Sequence, residues 1–326
     1  MLTNTDLGGD TMFKSKIFIL FVVSVIFLAA CNNNKNTNEK TADESLKIMT
    51  SFYPLYDFTT KIAGDRAKVI NLVQPGIEPH DYEPSPKDLA NLNEVDLFIY
   101  NGAGYESWVT DTIKSIDAKD TKIINSSEYI DLLTLRETGE STEPVDKEGQ
   151  EDKSYDPHFW LDPIRAKQIA EVIKEELIKL DPDGKVVYED NFNKIAVNFD
   201  ELNSEYTGAL SNPRQKEVIV SHNAFGYLTN RYGLEQIPIT GISPSDEPSP
   251  KKLKELISFA NERQINYILF ETLVSPKVAE TVKDTIGAKS LTLNPIEGLT
   301  NKEIKKGDDY FSVMRENLAT LKLATQ

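Results

Sequence analysis

The sequence predicts an α/β protein with two lobes, each with a parallel sheet flanked by helices, joined by one long linking helix. Short β-type runs alternate with helical patterns, which is typical of parallel sheets covered by helices. About 280 residues follow position 45, more than one hydrophobic core usually organises. One amphipathic helical pattern in the middle of the chain is long enough to run along two lobes.

The chain begins with a secretory signal peptide, predicted over residues 1–30. Two lysines precede an almost uninterrupted apolar run, Ile17–Ala30, which is too short for a comfortable membrane span. The only cysteine, Cys31, directly follows two alanines, so no intramolecular disulfide can form. The Leu-Ala-Ala-Cys sequence resembles a bacterial lipoprotein box, which implies that Cys31 is lipidated. We therefore expect an extracytoplasmic protein that is lipid-anchored to the bacterial cell membrane.

A polar stretch with almost no apolar side chain follows the signal peptide, over residues 31–45. Such a composition is typical of a flexible tether. The folded part is therefore predicted to begin near Leu46. We expect an N-terminal lobe over residues 46–180, a linking helix over 181–212 and a C-terminal lobe over 213–326.

Eight β-type runs form two sets, one before and one after the predicted linking helix. Each set alternates with helical patterns and can build one parallel sheet. The first set comprises residues 47–51, 69–73, 97–100 and 122–125, and the second comprises 217–221, 236–239, 267–271 and 290–293.

A weak internal repeat supports the division into two lobes. The motif Glu-Pro-Ser-Pro-Lys occurs at residues 83–87 and again at 247–251. Ser85 and Ser249 suit the N-cap of a helix, because a serine hydroxyl accepts a hydrogen bond from an otherwise unpaired backbone N–H. The proline after each serine already has helical φ and has no N–H to leave unpaired. Both copies are therefore predicted to start helices.

The linking helix opens at Asp181-Pro182 and stops at Asn212-Pro213. Its apolar residues recur every three or four positions, which indicates one buried face. At 1.5 Å per residue, about 28 helical residues span roughly 42 Å, and a single stiff connection of this kind resists wide hinge closure. The apolar residues are Phe192, Ile195, Phe199, Leu202, Tyr206 and Leu210.

The three histidines of the chain each lie in a loop beside Pro, Asp or Asn. His80 follows the strand predicted to end at residue 73, and His222 directly follows the strand ending at 221. Ligands of open α/β sheets bind beyond the carboxyl ends of the strands, so the two lobes can present these histidines across one cleft. Histidine is the commonest transition-metal ligand. The pattern, with His158 as the third histidine, predicts a metal site.

Two carboxylates are candidates for completing this site. Glu271 closes the strand 267–271, and Glu297 lies in the turn after the next strand. The spacing by itself does not choose between them.

Three motifs carry a resemblance to a known family. Together they resemble the lipoprotein solute-binding components of bacterial ABC importers for zinc and manganese, in the zinc-type branch, and the likeness extends from Leu46 to the end of the chain. They are Pro-Gly-Ile-Glu-Pro-His-Asp-Tyr-Glu-Pro-Ser-Pro at 75–86, Asp-Pro-His-Phe-Trp-Leu-Asp-Pro at 156–163 and Ser-His-Asn-Ala-Phe-Gly-Tyr-Leu at 221–228.

The resemblance implies a ligand set for the metal. Each motif of the family supplies one histidine, which maps to His80, His158 and His222. A carboxylate of the second lobe completes the set and maps to Glu297. Glu271 matches an acidic position close to the site, where it can orient a histidine.

This ligand set favours zinc as the cargo. Three imidazoles and one carboxylate suit tetrahedral Zn²⁺, whereas Mn²⁺ prefers more oxygen ligands. Manganese receptors of the family tend to carry a second carboxylate where this chain has His222. The resemblance therefore implies a high-affinity receptor that captures Zn²⁺ between the lobes and delivers it to an ABC permease with a cytoplasmic ATPase. Mn²⁺ is the alternative cargo.

A zinc hydrolase and a surface adhesin are the rival functions. The sequence has no His-Glu-x-x-His helix and no Gly-x-Ser-x-Gly elbow. A fourth protein ligand would also leave no position for a catalytic water. We therefore expect a protein that is not an enzyme. A lipid anchor would suit an adhesin equally well, but no motif in the sequence indicates adhesion.

The charge of the chain limits its partners. The net charge is -16, and no basic patch offsets it, so we expect no nucleic-acid partner. We expect a monomer whose partners are the permease, its ATPase and the membrane. The acidic loop 136–157 has no histidine before His158, although many zinc receptors of the family have a histidine-rich loop there. A solvated loop fits this composition better than weak cation capture.

Overall fold

The computed structural model describes residues 45–116, 121–139, 154–275 and 277–326. The predicted signal peptide, Cys31 and most of the acidic loop, residues 140–153, lie outside these ranges. In the part of the chain that is described, two four-stranded parallel sheets are flanked by helices, as the sequence predicted.

The first sheet has the strand order β2-β1-β3-β4, and every neighbouring pair is parallel. Four of the five residues of β1 are buried, as expected for the central strand of a parallel sheet. β2 begins two residues earlier than predicted, because Ala67 and Lys68 pair with the start of β1. The elements are β1 (Leu46–Thr50), α1 (Tyr53–Ala63), β2 (Ala67–Asn71), α2 (Pro86–Leu92), β3 (Leu97–Tyr100), α3 (Val109–Ser115) and β4 (Lys122–Asn125).

Two helices, α4 (Pro163–Leu180) and α5 (Lys185–Ala209), lie between the two sheets in the sequence. α5 is the predicted long helix, but it begins at Lys185, after the short 3-10 turn Pro182–Gly184. Asp181 stabilises the turn between α4 and α5. Its carboxylate accepts hydrogen bonds from Arg66 at 2.8 and 3.0 Å and from the Tyr188 hydroxyl at 2.7 Å. With 25 residues, α5 is about 37 Å long.

The second sheet repeats the topology of the first, with the strand order β6-β5-β7-β8 and parallel pairing throughout. The observed strands lie within one residue of the predicted ones. The elements are β5 (Glu217–Val220), α6 (Gly226–Tyr232), β6 (Glu235–Pro238), α7 (Pro250–Glu262), β7 (Tyr267–Phe270), α8 (Lys277–Ile286), β8 (Lys289–Thr292), α9 (Asn301–Lys306) and α10 (Tyr310–Ala324).

The apolar stripe of α5 lies in the largest hydrophobic core, which it shares with residues of both sheets. Phe199 contacts the rings of Phe58 on α1 and Tyr310 on α10, with centroids 5.3 and 5.7 Å apart. The Tyr206 hydroxyl donates a 2.6 Å hydrogen bond to the carbonyl of Met314. One long helix thus packs against elements from both ends of the chain.

Both copies of the internal repeat start helices, as predicted. The Ser85 hydroxyl accepts a hydrogen bond from the Asp88 N–H, and the Asp88 carboxylate accepts one from the Ser85 N–H in return. Ser249 accepts a hydrogen bond from the Lys252 N–H at the start of α7. No helix in the described part of the chain combines the length and apolar composition that a membrane crossing requires.

Candidate metal centre

Four loops bring the predicted ligands to one place. His80 lies in the 3-10 turn Pro79–Asp81 after β2, and His158 immediately precedes the 3-10 turn Phe159–Leu161. His222 lies two residues beyond β5, and Glu297 lies in the loop after β8. Each of the four offers one donor atom, and these atoms all lie within 4.8 Å of one another.

The spacing of the donors fits a small tetrahedral ion. His80 Nε2 lies 3.2 Å from both His158 Nε2 and Glu297 Oε1. Glu297 Oε1 is 3.4 Å from His158 Nε2 and 3.6 Å from His222 Nε2. Zinc–nitrogen bonds of about 2.0–2.1 Å give tetrahedral edges of about 3.3 Å. Four of the six donor separations are therefore already close to those of a tetrahedral zinc site.

The four donors differ in their distance from solvent. The side chains of His158 and His222 are fully buried, and Glu297 is 1% exposed. His80 keeps 7% side-chain exposure. Of the four donor residues, His80 is therefore the most accessible to solvent.

Two buried carboxylates hold the ligand imidazoles from the side opposite to the donor atoms. Glu271 Oε1 lies 2.7 Å from His222 Nδ1 and accepts the backbone N–H of the same residue at 3.1 Å. Asp156 Oδ1 lies 2.8 Å from His158 Nδ1 and accepts its backbone N–H at 2.9 Å. Glu271 was predicted from the sequence to lie close to the site, whereas Asp156 was not. The sequence signal for Asp156 is its position two residues before His158. At this spacing an aspartate carboxylate can accept a hydrogen bond from the backbone N–H of the later residue.

Glu78 and Tyr105 also line the site and were missed. The Tyr105 ring packs edge-on against His80 with centroids 4.7 Å apart, and its hydroxyl is buried. Glu78 accepts the backbone N–H of His80 at 3.2 Å. Burial and the nearby Glu297 carboxylate raise the pKa of Glu78 to about 9. Both side chains add polar groups to the outer wall of the site.

The charges of the donor atoms are strongly interdependent. Burial lowers the pKa of His80. Burial also disfavours the charged forms of His158 and His222, but Asp156, Glu271 and Glu297 outweigh it and raise the pKa of both imidazoles, that of His222 well above its usual range. Burial would raise the pKa of Glu297, yet its hydrogen bonds to the histidines hold it well below the usual range. The neighbouring carboxylates thus favour the protonated forms of His158 and His222, whereas burial favours the neutral form of His80.

The loop that carries Glu297 has a strained backbone. Ile296 adopts a φ of 58°, which is an outlier for a β-branched residue. Its N–H donates a 2.8 Å hydrogen bond to Asn294 Oδ1, and the Asn294 N–H donates one of 2.8 Å to Asn317 on α10. Strain of this kind persists where surrounding contacts over-determine it, often at a functional site. Here it places a carboxylate among three imidazoles.

The matching family model and two similar relatives are all described as zinc-uptake or zinc-binding proteins. A family model described as ZnuA, the zinc-uptake complex component A, periplasmic, matches residues 48–324. The high-affinity zinc uptake system protein ZnuA of Bacillus subtilis is 40% identical over 307 residues, which are 93% of this chain and 96% of that protein. The zinc-binding lipoprotein AdcA of Streptococcus pneumoniae is 38% identical over 96% of this chain, which spans only 61% of its length.

Solved structures agree with the sequence comparison. The zinc-bound ZnuA-like domain of Streptococcus pneumoniae AdcA superposes with a TM-score of 0.73 at 37% identity, over 86% of this chain and 99% of that one. The laminin-binding protein of Streptococcus agalactiae, described as bifunctional with adhesin and metal-transporting activity, gives a TM-score of 0.74 at 33% identity. It covers 86% of this chain and 100% of its own.

Proposed function

Because the chain belongs to the ZnuA family of zinc-uptake components, we propose that it is the high-affinity zinc receptor of an ABC importer. It captures Zn²⁺ between its two lobes and delivers it to a membrane permease. The observation that carries this proposal is the convergence of three imidazoles and one carboxylate within 4.8 Å. The lobes correspond to residues 46–180 and 213–326, with residues 181–212 between them.

The proposed ligands are His80, His158, His222 and Glu297. Their separations of 3.2–3.6 Å around Glu297 and His80 support four-coordinate zinc. Mn²⁺ is the alternative cargo, but a nitrogen-rich set of four donors suits it less well, because Mn²⁺ prefers oxygen ligands and a higher coordination number.

The same ligand set argues against catalysis. Catalytic zinc sites keep one coordination position for water or substrate. With Glu297 as the fourth ligand that position is filled, so no water is activated. The zinc is cargo and undergoes no chemical change.

The setting of the receptor follows from its amino terminus. We assign Cys31 as the lipid attachment site and residues 31–45 as the tether that lets the folded part reach the permease. The name of the AdcA relative, a zinc-binding lipoprotein, supports this assignment. The partners are then the permease and its cytoplasmic ATPase, met by a monomeric receptor on the outer side of the membrane.

Surface adhesion is the second candidate function. It is favoured by the likeness to the bifunctional laminin-binding protein of Streptococcus agalactiae. Binding of the chain to immobilised laminin that is unchanged by removing zinc would support adhesion as a separate activity.

A competition experiment tests the proposed function. The soluble chain that starts after Cys31 is equilibrated with equal, excess concentrations of Zn²⁺ and Mn²⁺, and the metal retained per chain after desalting is measured. We expect one zinc and no manganese. Retention of manganese in preference to zinc would contradict the zinc assignment, and retention of neither would contradict the receptor.

A further inference from the structure

We propose that Asp156 is a positioning residue for zinc binding, which fixes the ring of His158, and that helix α6 of the second sheet holds Asp156 in place. This inference rests on the proposed function, because it concerns how one ligand of the zinc site is oriented. It links His158, in the first lobe, to α6, the helix that follows His222 in the second lobe.

Asp156 contacts both the ring and the backbone of His158. A single oxygen, Asp156 Oδ1, lies 2.8 Å from His158 Nδ1 and 2.9 Å from the backbone nitrogen of the same residue. The imidazole cannot rotate about its side-chain bonds without breaking the first of these hydrogen bonds. The contact places a proton on Nδ1, because only an N–H can donate to a carboxylate.

The consequence for the metal lies on the other side of the ring. With its proton on Nδ1, His158 presents the lone pair of Nε2, which faces His80 Nε2 at 3.2 Å and Glu297 Oε1 at 3.4 Å. A carboxylate that accepts from a ligand histidine also makes its imidazole a stronger donor, and losing such a group typically weakens metal binding 10–100-fold. Asp156 is fully buried, so no water competes for this contact.

Asp156 is itself held by Tyr227 of α6. The Tyr227 hydroxyl on α6 donates a 2.8 Å hydrogen bond to the Asp156 carbonyl and accepts one from the Leu133 N–H at 2.9 Å. The guanidinium of Arg165 lies over the Tyr227 ring, 4.9 Å from its centroid. Tyr227 therefore fixes the backbone of Asp156 from the second sheet.

Gly226 makes the close approach of α6 to Asp156 possible. A Cβ at this position would lie 2.7 Å from Asp156 Oδ2 and 2.3 Å from Thr138 Cβ. Any other residue would have to displace one of them. Gly226 and Tyr227 begin the helix that comes four residues after His222, so the segment that carries His222 also sets the position of His158.

The test compares Asp156→Ala and Asp156→Asn in the full chain solubilised in detergent. The control is Glu106→Gln, which changes another buried carboxylate. Glu106 accepts hydrogen bonds from the Ser51 hydroxyl and from the backbone N–H groups of Asn101 and Gly102, and none of these partners is a histidine. Zinc affinity is measured by competition with a chelator. Labelling only histidine with ¹⁵N reports the ring nitrogens directly, since the chain has three histidines.

We expect Asp156→Ala to weaken zinc binding about 100-fold and Asp156→Asn about tenfold, because the amide oxygen still accepts from Nδ1. In the zinc-loaded protein the Nδ1–H resonance of one histidine should shift in Asp156→Asn and exchange rapidly with water in Asp156→Ala. Glu106→Gln should leave the ring resonances and the affinity unchanged. Unchanged affinity in Asp156→Ala would overturn the proposal, as would a loss of affinity without any change at the His158 ring.

Tyr227→Phe tests the part assigned to α6 with a smaller change. It removes only the hydroxyl that bonds Asp156, and we expect a loss of affinity of no more than about tenfold with a shift of the His158 Nδ1–H resonance. An unshifted resonance would refute the role of α6. If the unaltered chain holds no zinc, the proposed function itself is wrong. If it holds zinc and Asp156→Ala does so equally well, only this inference is wrong.

Discussion

Trp160 Nε1 donates a 2.8 Å hydrogen bond to the carbonyl of Pro295, two residues before Glu297. Trp160 itself lies two residues after His158. One buried hydrogen bond thus ties the loop of one ligand to the loop of another, across 135 residues of sequence. The carbonyl of Trp160 accepts a further 2.6 Å hydrogen bond from the Tyr310 hydroxyl on α10.

Replacing Trp160 by Phe should therefore weaken both the fold and the metal site. The change leaves the buried Pro295 carbonyl unpaired, which costs about 1–3 kcal/mol of unfolding free energy. It also releases the strained Ile296 next to Glu297. The measurements are urea unfolding without metal and zinc affinity by chelator competition.

The matched control for this change is Tyr310→Phe, which leaves the Trp160 carbonyl unpaired instead. We expect a similar loss of stability with unchanged zinc affinity, because the Pro295 contact remains. Equal loss of affinity in both variants would mean that the hydrogen bond to Pro295 has no specific role at the site.

Glu297→Gln should reduce zinc affinity by about 100-fold or more. The change keeps the size of the side chain but removes the negative charge and replaces one donor oxygen by an NH₂ group, which cannot bind a cation. Four ligands share a binding free energy of about 10–16 kcal/mol in zinc sites, so each contributes several kcal/mol. Chelator competition measures the affinity. Zinc held as tightly as by the unaltered chain would shift the fourth ligand to another group.

Glu271→Gln should have a smaller effect, a loss of about 10–100-fold, because Glu271 acts through His222. Its carboxylate lies 2.7 Å from His222 Nδ1 and does not belong to the group of four donor atoms. Glu247→Gln, which changes an exposed glutamate, is the matched control and should bind zinc normally. A loss for Glu271→Gln larger than that for Glu297→Gln would reverse the assignment of the two residues.

Zinc binding should release protons at neutral pH. Asp156, Glu271 and Glu297 raise the pKa of His158 and His222 despite their burial, so the metal-free protein holds protons that the cation must displace. Affinity should therefore fall as the pH falls. Calorimetric titrations in two buffers with different enthalpies of ionisation measure the number of protons released. The same binding enthalpy in both buffers would contradict the prediction.

Asp309→Asn should reduce stability at neutral pH but not at low pH. Burial would raise the pKa of Asp309, but the Ser312 N–H and Lys61 outweigh it and lower the pKa below its usual range. A carboxyl with a lowered pKa stabilises the fold above its unfolded pKa of about 3.9, and this stabilisation is lost as the pH falls through the folded value. Asp309 is the N-cap of α10. Asparagine caps helices as well as aspartate, so the variant removes mainly the charge beside Lys61.

Urea unfolding of the metal-free protein checks this prediction at pH 7 and near pH 3. The midpoints of the unaltered chain and of Asp309→Asn should differ at pH 7 and converge at the lower pH. A difference that stays constant over this range would show that the Lys61 contact, 3.2 Å from Asp309, adds no charge-dependent stability.

The sequence determined the local elements of this protein, because their causes are local. Serine followed by proline fixed the starts of α2 and α7, and an apolar residue every three or four positions fixed the buried face of α5. Parallel strands alternating with helices followed from the same kind of pattern. The start of α5 at Lys185 was not predicted, because the turn before it depends on the contact of Asp181 with Arg66, which lies 115 residues away in the sequence.

Some features of the metal site were also predictable from the sequence, and others depended on the tertiary structure. The residue types and the loops after the strands indicated His80 and His222 as ligands, and only the family resemblance chose Glu297 over Glu271. The tertiary structure decided that Glu271 contacts Nδ1 of His222 while Glu297 faces three imidazoles. It also revealed Asp156, Gly226 and Tyr227 as one support for His158. Such roles depend on distances between segments far apart in the chain, and no local sequence pattern specifies those distances.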